Sequence, residues 1–143
     1  MTSDPKKIMI VEDQPEVADL FEEMLSLDGY QVGKIHSSTG ALSVIRAEKP
    51  DIVLLDIMMP DVSGLEVLHF MQREPDLQNI PVVIVSAKSL STEEWTRLRR
   101  HTQSIWQKGT FGGQELVLHM VELLGDKMEL DRTQEKQVQH APG

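Results

Sequence analysis

The stretch that decides the fold is residues 51–64, DIVLLDIMMPDVSG. Its four apolar residues at 52–55 are typical of a short strand that is buried on both faces of a parallel sheet. The strand ends on the carboxylate of Asp56, and a turn leads from there to Gly64. Because doubly wound sheets bind ligands just outside the carboxyl ends of their strands, Asp56 is placed for chemistry. Taken alone, however, it is better interpreted as an ordinary turn or helix-capping acid.

A second apolar strand, residues 8–11, ends in the acidic pair Glu12 and Asp13. Three carboxylates at one sheet edge repel one another strongly unless a cation lies between them. Since no Cys or His accompanies them, these oxygen ligands favour a hard ion, and Mg²⁺ fits best. The alternative is that the pair merely opens the next helix, where Pro15 suits an early position and acids suit the helix dipole.

Two further strands end in a hydroxyl group and in an ammonium group. Residues 80–85 lead to Ser86, and residues 105–107 lead to Lys108. Taken singly, Ser86 is more often a turn or cap residue and Lys108 a solvated surface charge. Combined with the three acids, they form a set that suits phosphoryl transfer onto a carboxylate.

Each group in this set has a predicted role. Asp56 attacks phosphorus, while Glu12 and Asp13 hold Mg²⁺ directly or through water. Lys108 pairs with a phosphoryl oxygen or with Asp56. Ser86 donates a hydrogen bond to another phosphoryl oxygen, which links phosphorylation to a movement of the loop that follows it.

With these motifs the chain resembles the receiver domains of two-component response regulators. The resemblance covers about residues 6–124 and is carried by the acidic pair, the stretch 56–64, Ser86-Ala87 and Lys108. It implies an α/β fold of the flavodoxin-like (βα)5 type, a doubly wound parallel sheet of five strands in the order 2-1-3-4-5. It also implies that Asp56 is the phospho-acceptor and that the backbone carbonyl of Met58 is a further Mg²⁺ ligand.

The resemblance implies partners as well. The phosphoryl donor would be a phosphohistidine on a sensor histidine kinase or on a phosphotransfer protein. The output would be phosphorylation-dependent contact with another, unidentified protein, so that the chain is a signalling switch rather than an enzyme with turnover. A homodimer through the face of the fourth and fifth helices is a further expectation.

The composition fits one compact domain of 143 residues. We expect an N-terminal extension at 1–5, the receiver at 6–124 and a polar C-terminal tail at 125–143. The net charge of -9 disfavours nonspecific binding to nucleic acid or to anionic lipid. The chain has no Cys, and no apolar stretch approaches the roughly 18 residues that span a bilayer. A cytoplasmic location is therefore expected.

Periodicity predicts five helices between and after the strands. In the third helix Leu65, Val67, Leu68 and Met71 are predicted to face inward. The predicted elements are a helix with apolar residues from Val17 to Leu25, an edge strand at 31–35, a helix capped by Ser38 or Thr39 and running to Glu48, a helix after Gly64, a helix beginning near 91–94 and a helix at 113–124.

Two positions depart from the usual receiver pattern. Gly109 follows Lys108 where the family usually has a proline, which makes this turn more permissive. Ile105 stands where the family usually has an aromatic switch residue. Trp106 is adjacent, but neighbouring strand residues face opposite sides. Either the loop linked to the Ser86 hydroxyl alone carries the signal, or Trp106 is part of an altered output surface.

Residues flanking the acceptor predict a slow loss of the phosphoryl group. Met58 and Lys88 occupy positions that, in the family, influence how water reaches the acyl phosphate. Neither is a carboxylate or an amide that orients an attacking water well, so self-dephosphorylation is expected to be slow.

Other readings stay open. The chain could be the receiver segment of a hybrid histidine kinase. An aspartyl-phosphate phosphatase or phosphotransferase typically has a second acid where Met58 stands, and a flavodoxin-like nucleotide binder would need a Gly-rich loop after the first strand. The five histidines show no ligand spacing and are predicted at the surface or at boundaries. The arginines at 97, 99 and 100 are predicted as a solvated face, while Trp95 and Leu98 face either the core or a partner.

Overall fold

The computed structural model describes residues 6–27, 29–37, 39–58, 64–87 and 90–125. A fifth helix, here called α5, covers residues 113–125. The other elements, in chain order, are β1 Lys7–Val11, α1 Pro15–Leu27, β2 Gln31–Ile35, α2 Ala41–Glu48, β3 Ile52–Asp56, α3 Gly64–Gln72, β4 Val82–Ser86, α4 Thr92–Arg99 and β5 Ser104–Gln107. The predictions for residues 1–5 and 126–143, for Ser38 and for Lys88 lie outside the described residues.

The five strands form one parallel sheet in the order β2-β1-β3-β4-β5, so the predicted fold class and strand order are confirmed. All five residues of β3 and of β4 are buried, as their unbroken apolar sequences predict. At the edges, β2 and β5 are only partly covered. The pairing aligns Val11 with Ile35 and Leu55, which brings the carboxyl ends of neighbouring strands level.

Helices cover both faces of the sheet and enclose two hydrophobic clusters. The residues of each strand alternate between the clusters, because successive side chains on a strand point to opposite faces. The first cluster packs β-strand residues such as Met9, Val53 and Ile84 against α2, α3 and α4. The second packs Ile8, Leu54 and Val83 against α1 and α5.

Three predictions about individual helix residues are wrong. Thr39 does not cap α2, because the helix begins one residue later, at an N-cap Gly40 that has no side-chain cap. Leu65 is 41% exposed, since the buried stripe of α3 runs through Gly64, Val67, Leu68 and Met71 and leaves Leu65 beside it. Leu20 of the predicted stripe in α1 is also half exposed.

The fourth helix begins as predicted, with a complete capping box. The Ser91 hydroxyl accepts from the Glu94 N–H at 3.1 Å, and the Glu94 carboxylate accepts from the Ser91 N–H at 2.9 Å. Leu98 faces the core, whereas Trp95 is exposed and lies under the Arg99 guanidinium, 5.7 Å from its ring centroid. Within the described part of the chain, no helix has the length and apolar character needed to cross a membrane.

Candidate functional site

The carboxyl ends of four adjacent strands bring the predicted polar residues together. Asp56 is the last residue of β3 and Ser86 the last of β4, while Glu12 directly follows β1 and Lys108 directly follows β5. Glu12, Asp56 and Ser86 are the buried polar side chains of the described chain, with 3%, 2% and 1% of their surface exposed. Because burial of an unpaired carboxylate is costly, these acids need partners at this sheet edge.

Lys108 supplies the positive charge. Its Nζ lies 3.1 Å from Glu12 Oε1 and 3.2 Å from Asp56 Oδ2, so one ammonium bridges the acids that follow β1 and end β3. The Lys108 backbone N–H donates to the Ser86 carbonyl at 2.7 Å, which extends the pairing of β4 and β5 past the end of the ladder. The sequence left open whether Lys108 pairs with Asp56, and in this structure it does.

Backbone N–H groups also donate to these two carboxylates. Asp56 Oδ1 accepts from the Met58 N–H at 2.9 Å, and Glu12 Oε2 accepts from the Gln14 N–H at 3.3 Å. In Asp56 the loop and Lys108 therefore bond different oxygens, whereas Glu12 Oε2 accepts from both the loop and Lys108. Hydrogen bonds to charged groups are stronger than neutral ones, and they orient the acids without filling the space between them.

The charges at the site perturb one another. Burial, followed by the charge of Asp56, raises the pKa of Glu12 to about 7, although Lys108 acts in the opposite direction. Burial alone would lower the pKa of Lys108, but the charges of Asp56 and Glu12 raise it above its usual value. Lys108 therefore stays protonated, while Glu12 gains a proton more easily than an exposed carboxyl group, because it is buried and lies beside the charge of Asp56.

The acid cluster fits a divalent ion. One carboxylate oxygen from each of Glu12, Asp13 and Asp56 lies within 4.8 Å of the others. These donors are hard oxygens on one loop and one strand end, and they are of the kind that Mg²⁺ accepts in proteins. A cation at this point would relieve the repulsion between the acids.

Two residues that contribute to the site were missed by the sequence reasoning. His36, predicted as a surface or boundary residue, has its ring Nδ1 3.1 Å from the Glu12 carbonyl oxygen. Gly64 lies so close to the end of β3 that an added Cβ would be 2.5 Å from the Asp56 carbonyl oxygen and 2.7 Å from the Ile57 Cα. The only sequence signal for either residue was its position: His36 follows β2, and Gly64 begins the helix after the turn that follows Asp56.

The structure shows the conformation and the packing of the positions that depart from the receiver pattern. Gly109 has a φ of +90°, a conformation that glycine adopts at little cost. Ile105 packs into the α2, α3 and α4 cluster. Trp106 packs on the opposite face, where its ring meets Phe111 at 5.0 Å and His119 at 5.3 Å between centroids. Trp106 therefore does not take the place of the missing aromatic, as the alternation of strand residues predicts.

The remaining histidines contribute no ligand to the acid cluster in the described residues. His69 and His101 are exposed on or after helices, as expected. His119 is partly buried and lies 2.8 Å from Ser104 Oγ, which also accepts from the Trp106 indole N–H at 2.9 Å. Burial lowers the pKa of His119, and the nearby Glu122 offsets part of that effect.

An acid at the end of β3, bridged by a lysine and flanked by an acidic pair on a 2-1-3-4-5 parallel sheet, defines a receiver-type module. The chain belongs to the response regulator receiver domain family, whose sequence pattern matches residues 8–109.

Individual relatives agree with this assignment. The chain is 37% identical over 90 residues to the polar-differentiation response regulator DivK of Brucella anthropi. The aligned residues make up 63% of this chain and 73% of that protein. The N-terminal domain of a response regulator receiver protein from Methanoculleus marisnigri has a TM-score of 0.67 at 30% identity, covering 85% of this chain and 94% of that one. A CheY-like receiver domain protein from Methanospirillum hungatei shares the fold, with a TM-score of 0.76 at 23% identity over 87% and 98% of the two chains.

Proposed function

We propose that this receiver domain accepts a phosphoryl group on Asp56, in a reaction that needs Mg²⁺. The observation that carries the proposal is the Asp56 carboxylate, which is buried at the end of β3, bridged by Lys108 and within ligand distance of Glu12 and Asp13. The donor is a phosphohistidine on a sensor histidine kinase or on a phosphotransfer protein. A cytoplasmic location belongs to the same proposal.

The transfer is an exchange of one bond for another. An Asp56 carboxylate oxygen attacks phosphorus, the P–N bond to the donor imidazole breaks, and its electron pair returns to the ring nitrogen. The product is an acyl phosphate on Asp56. Glu12, Asp13, Asp56 and the Met58 carbonyl would hold Mg²⁺, which when bound offsets the repulsion between an anionic acceptor and an anionic donor.

Lys108 and Ser86 act on the product. Lys108 shares its ammonium between Glu12 and Asp56, so it is able to move from the acceptor carboxylate to a phosphoryl oxygen without leaving the site. Ser86 ends the adjacent strand, with Val85 paired to Asp56, and its hydroxyl donates to another phosphoryl oxygen. The loop after Ser86 then follows the hydroxyl, and this movement is the signal to the partner protein.

The domain is proposed to act as a switch and not as an enzyme with turnover. The Met58 side chain is 45% exposed beside the acceptor, and a thioether orients water poorly. Loss of the phosphoryl group should therefore be slow, and the modified state persists long enough to be read by another protein. A homodimer through α4 and α5 is proposed as one form of that readout.

The proposal is tested by intact-mass measurement after incubation with Mg²⁺ and acetyl phosphate. The wild-type protein should gain one phosphoryl group, and the adduct should be absent with Asp56→Asn or without Mg²⁺. Asp51→Asn is the matched control, because Asp51 precedes the other end of the same strand and accepts a backbone hydrogen bond from Lys7 at 2.8 Å. Continuous phosphate release would point to a phosphatase, and an adduct that survives Asp56→Asn would contradict the assignment of the acceptor.

A further inference from the structure

His36 lies at the end of β2 and contacts the acid pair through the backbone. Its Nδ1 is 3.1 Å from the Glu12 carbonyl oxygen. A carbonyl oxygen only accepts hydrogen bonds, so the ring nitrogen is the donor and Nδ1 carries the proton. His36 is an exposed residue, and this hydrogen bond ties its side chain to the backbone of Glu12.

This contact completes a clamp on Glu12. The Glu12 N–H donates to the Ile35 carbonyl at 2.9 Å, just past the last pair of the β1 and β2 ladder, Val11 with Ile35. Beyond this point the two chains leave the sheet, and the His36 side chain bonds the Glu12 carbonyl, just after the end of β1. Both backbone groups of Glu12 are therefore bonded to consecutive residues, the last residue of β2 and the residue that follows it.

The bonded carbonyl belongs to the peptide unit that joins Glu12 to Asp13. A peptide unit is planar, so a hydrogen bond to its oxygen fixes the orientation of the whole plane. Both acid side chains project from the α-carbons at the two ends of that plane. The spacing of their carboxylates, which a small octahedral ion requires to be close to ideal, depends on this orientation.

We propose that His36 is a positioning residue for the metal site: its Nδ1–H holds the Glu12–Asp13 peptide so that both carboxylates face the same divalent cation. This inference rests on the proposed Mg²⁺-dependent function. His36 does not touch the ion and takes no part in phosphoryl transfer. Outer groups that orient ligands through hydrogen bonds affect metal affinity in this indirect way.

Three variants separate the hydrogen bond from the shape of the ring. His36→Phe keeps a ring but removes the donor. His36→Asn places an amide nitrogen on Cγ, the atom that carries Nδ1 in histidine, so it restores the donor. His101→Phe makes the same change at another exposed histidine, which follows α4 and has no contact with the acid cluster among the described residues.

Two measurements are made on each variant of the full chain: the dissociation constant for Mg²⁺ by calorimetry, and the amide resonance of Asp13 by NMR in metal-free buffer. His36→Phe should weaken Mg²⁺ binding about three- to tenfold, the range expected for one net hydrogen bond, and should shift the Asp13 resonance. His36→Asn should bind within about twofold of wild type and return the resonance toward its original position. His101→Phe should change neither.

Several outcomes would overturn the inference. Wild-type affinity and an unchanged Asp13 resonance in His36→Phe would show that the hydrogen bond positions nothing. An equal loss in His36→Asn and His36→Phe would assign the effect to the ring and not to the donor. If wild type itself fails to bind Mg²⁺, the proposed function fails, and the Asp13 resonance of the metal-free variants alone then decides whether His36 holds the peptide.

Discussion

Two helices flank the edge strand β5, and they are held in very different ways. On one side α5 buries Leu116, Val117, Met120 and Leu124. On the other side α4 buries Leu98 alone. The difference indicates that the α5 side of the sheet is fixed by packing, whereas α4 has little apolar area to lose when it moves.

The side chains of β5, the strand between the two helices, show the same difference between its two faces. Trp106 turns toward α5, where its ring meets an aromatic ring and a histidine and its indole N–H is bonded. Ile105 turns toward the cluster that contains Leu98 of α4. An apolar groove with a volume of 210 Å³ begins directly after Asp56, at Ile57 and Met58, and reaches α4 at Leu98.

Replacing each of the two tryptophans by alanine should give the largest difference between the two sides of β5. Trp106→Ala should lower the free energy of unfolding by about 3 kcal/mol, because it removes a packed ring. Trp95→Ala should cost less than about 1 kcal/mol, since Trp95 is half exposed and loses mainly its contact with Arg99. Urea unfolding followed by circular dichroism measures both. Equal costs would mean that the two sides of β5 are packed equally.

Hydrogen exchange measures the same contrast in the unmodified protein. Amides at 96–99 in α4 should exchange at least about tenfold faster than amides at 117–124 in α5, which corresponds to about 1.4 kcal/mol of local stability. Native-state exchange followed by NMR gives both sets in one experiment. Uniform protection across the two helices would contradict the idea that α4 moves separately.

The cap of α4 should matter more than the cap of a well-packed helix. Ser91→Ala removes a bonded hydroxyl and should cost about 1 kcal/mol. The loss should be concentrated in faster amide exchange within α4. The control is Thr92→Ala at the neighbouring exposed hydroxyl, which should have a smaller effect. If the control variant is as unstable as Ser91→Ala, the capping box is not what holds this helix.

The smallest expected effect is a dependence of stability on pH through His119. Burial lowers its pKa in the folded state, so the unfolded chain binds the proton more readily. The contribution of His119 to folding stability is therefore complete above about pH 6.5, the pKa of histidine in the unfolded chain. It is lost as the pH falls through the lower pKa of His119 in the folded protein. The effect should be small, because His119 is only partly buried and solvent screens its charge.

Denaturation midpoints of wild type and His119→Gln across this pH range isolate the effect. The wild type should lose stability on acidification more steeply than the variant. His101→Gln, at an exposed histidine, should keep the wild-type slope. A wild type and a His119→Gln variant with the same slope would mean that His119 is as easily protonated in the folded protein as in the unfolded chain.

The interior of the sheet could be predicted from the sequence because its strands are continuous apolar runs. Residues 8–11, 52–55 and 82–85 have no polar interruption, and the structure buries all of them. Placing an acid after the first two runs and a hydroxyl after the third then followed from strand geometry. Lys108 follows the shorter strand at 105–107, which is not a continuous apolar run. The start of α4 near residues 91–94 was also predicted, whereas its capping box was not, although Ser91 and Glu94 have the spacing of one.

Contacts that depend on where a loop turns could not be predicted. The position of Leu65 depends on where α3 begins. The N-cap of α2 is Gly40, one residue after Thr39, which was predicted to cap the helix. The contact between His36 and the Glu12 carbonyl joins residues 24 positions apart through a side chain that no periodicity marks. The choice between core and surface for Trp95 and Leu98 required the direction of α4, which hydrophobic spacing alone leaves open.

Gly64 gives the site a requirement that no functional group reveals. A single methyl group there would collide with the carbonyl of Asp56, so either α3 or the end of β3 would have to shift. In a saturation screen scored by phosphoryl acceptance, this glycine should therefore rank beside the reactive side chains. A search for important residues that looks only for acids, bases and nucleophiles would leave it out.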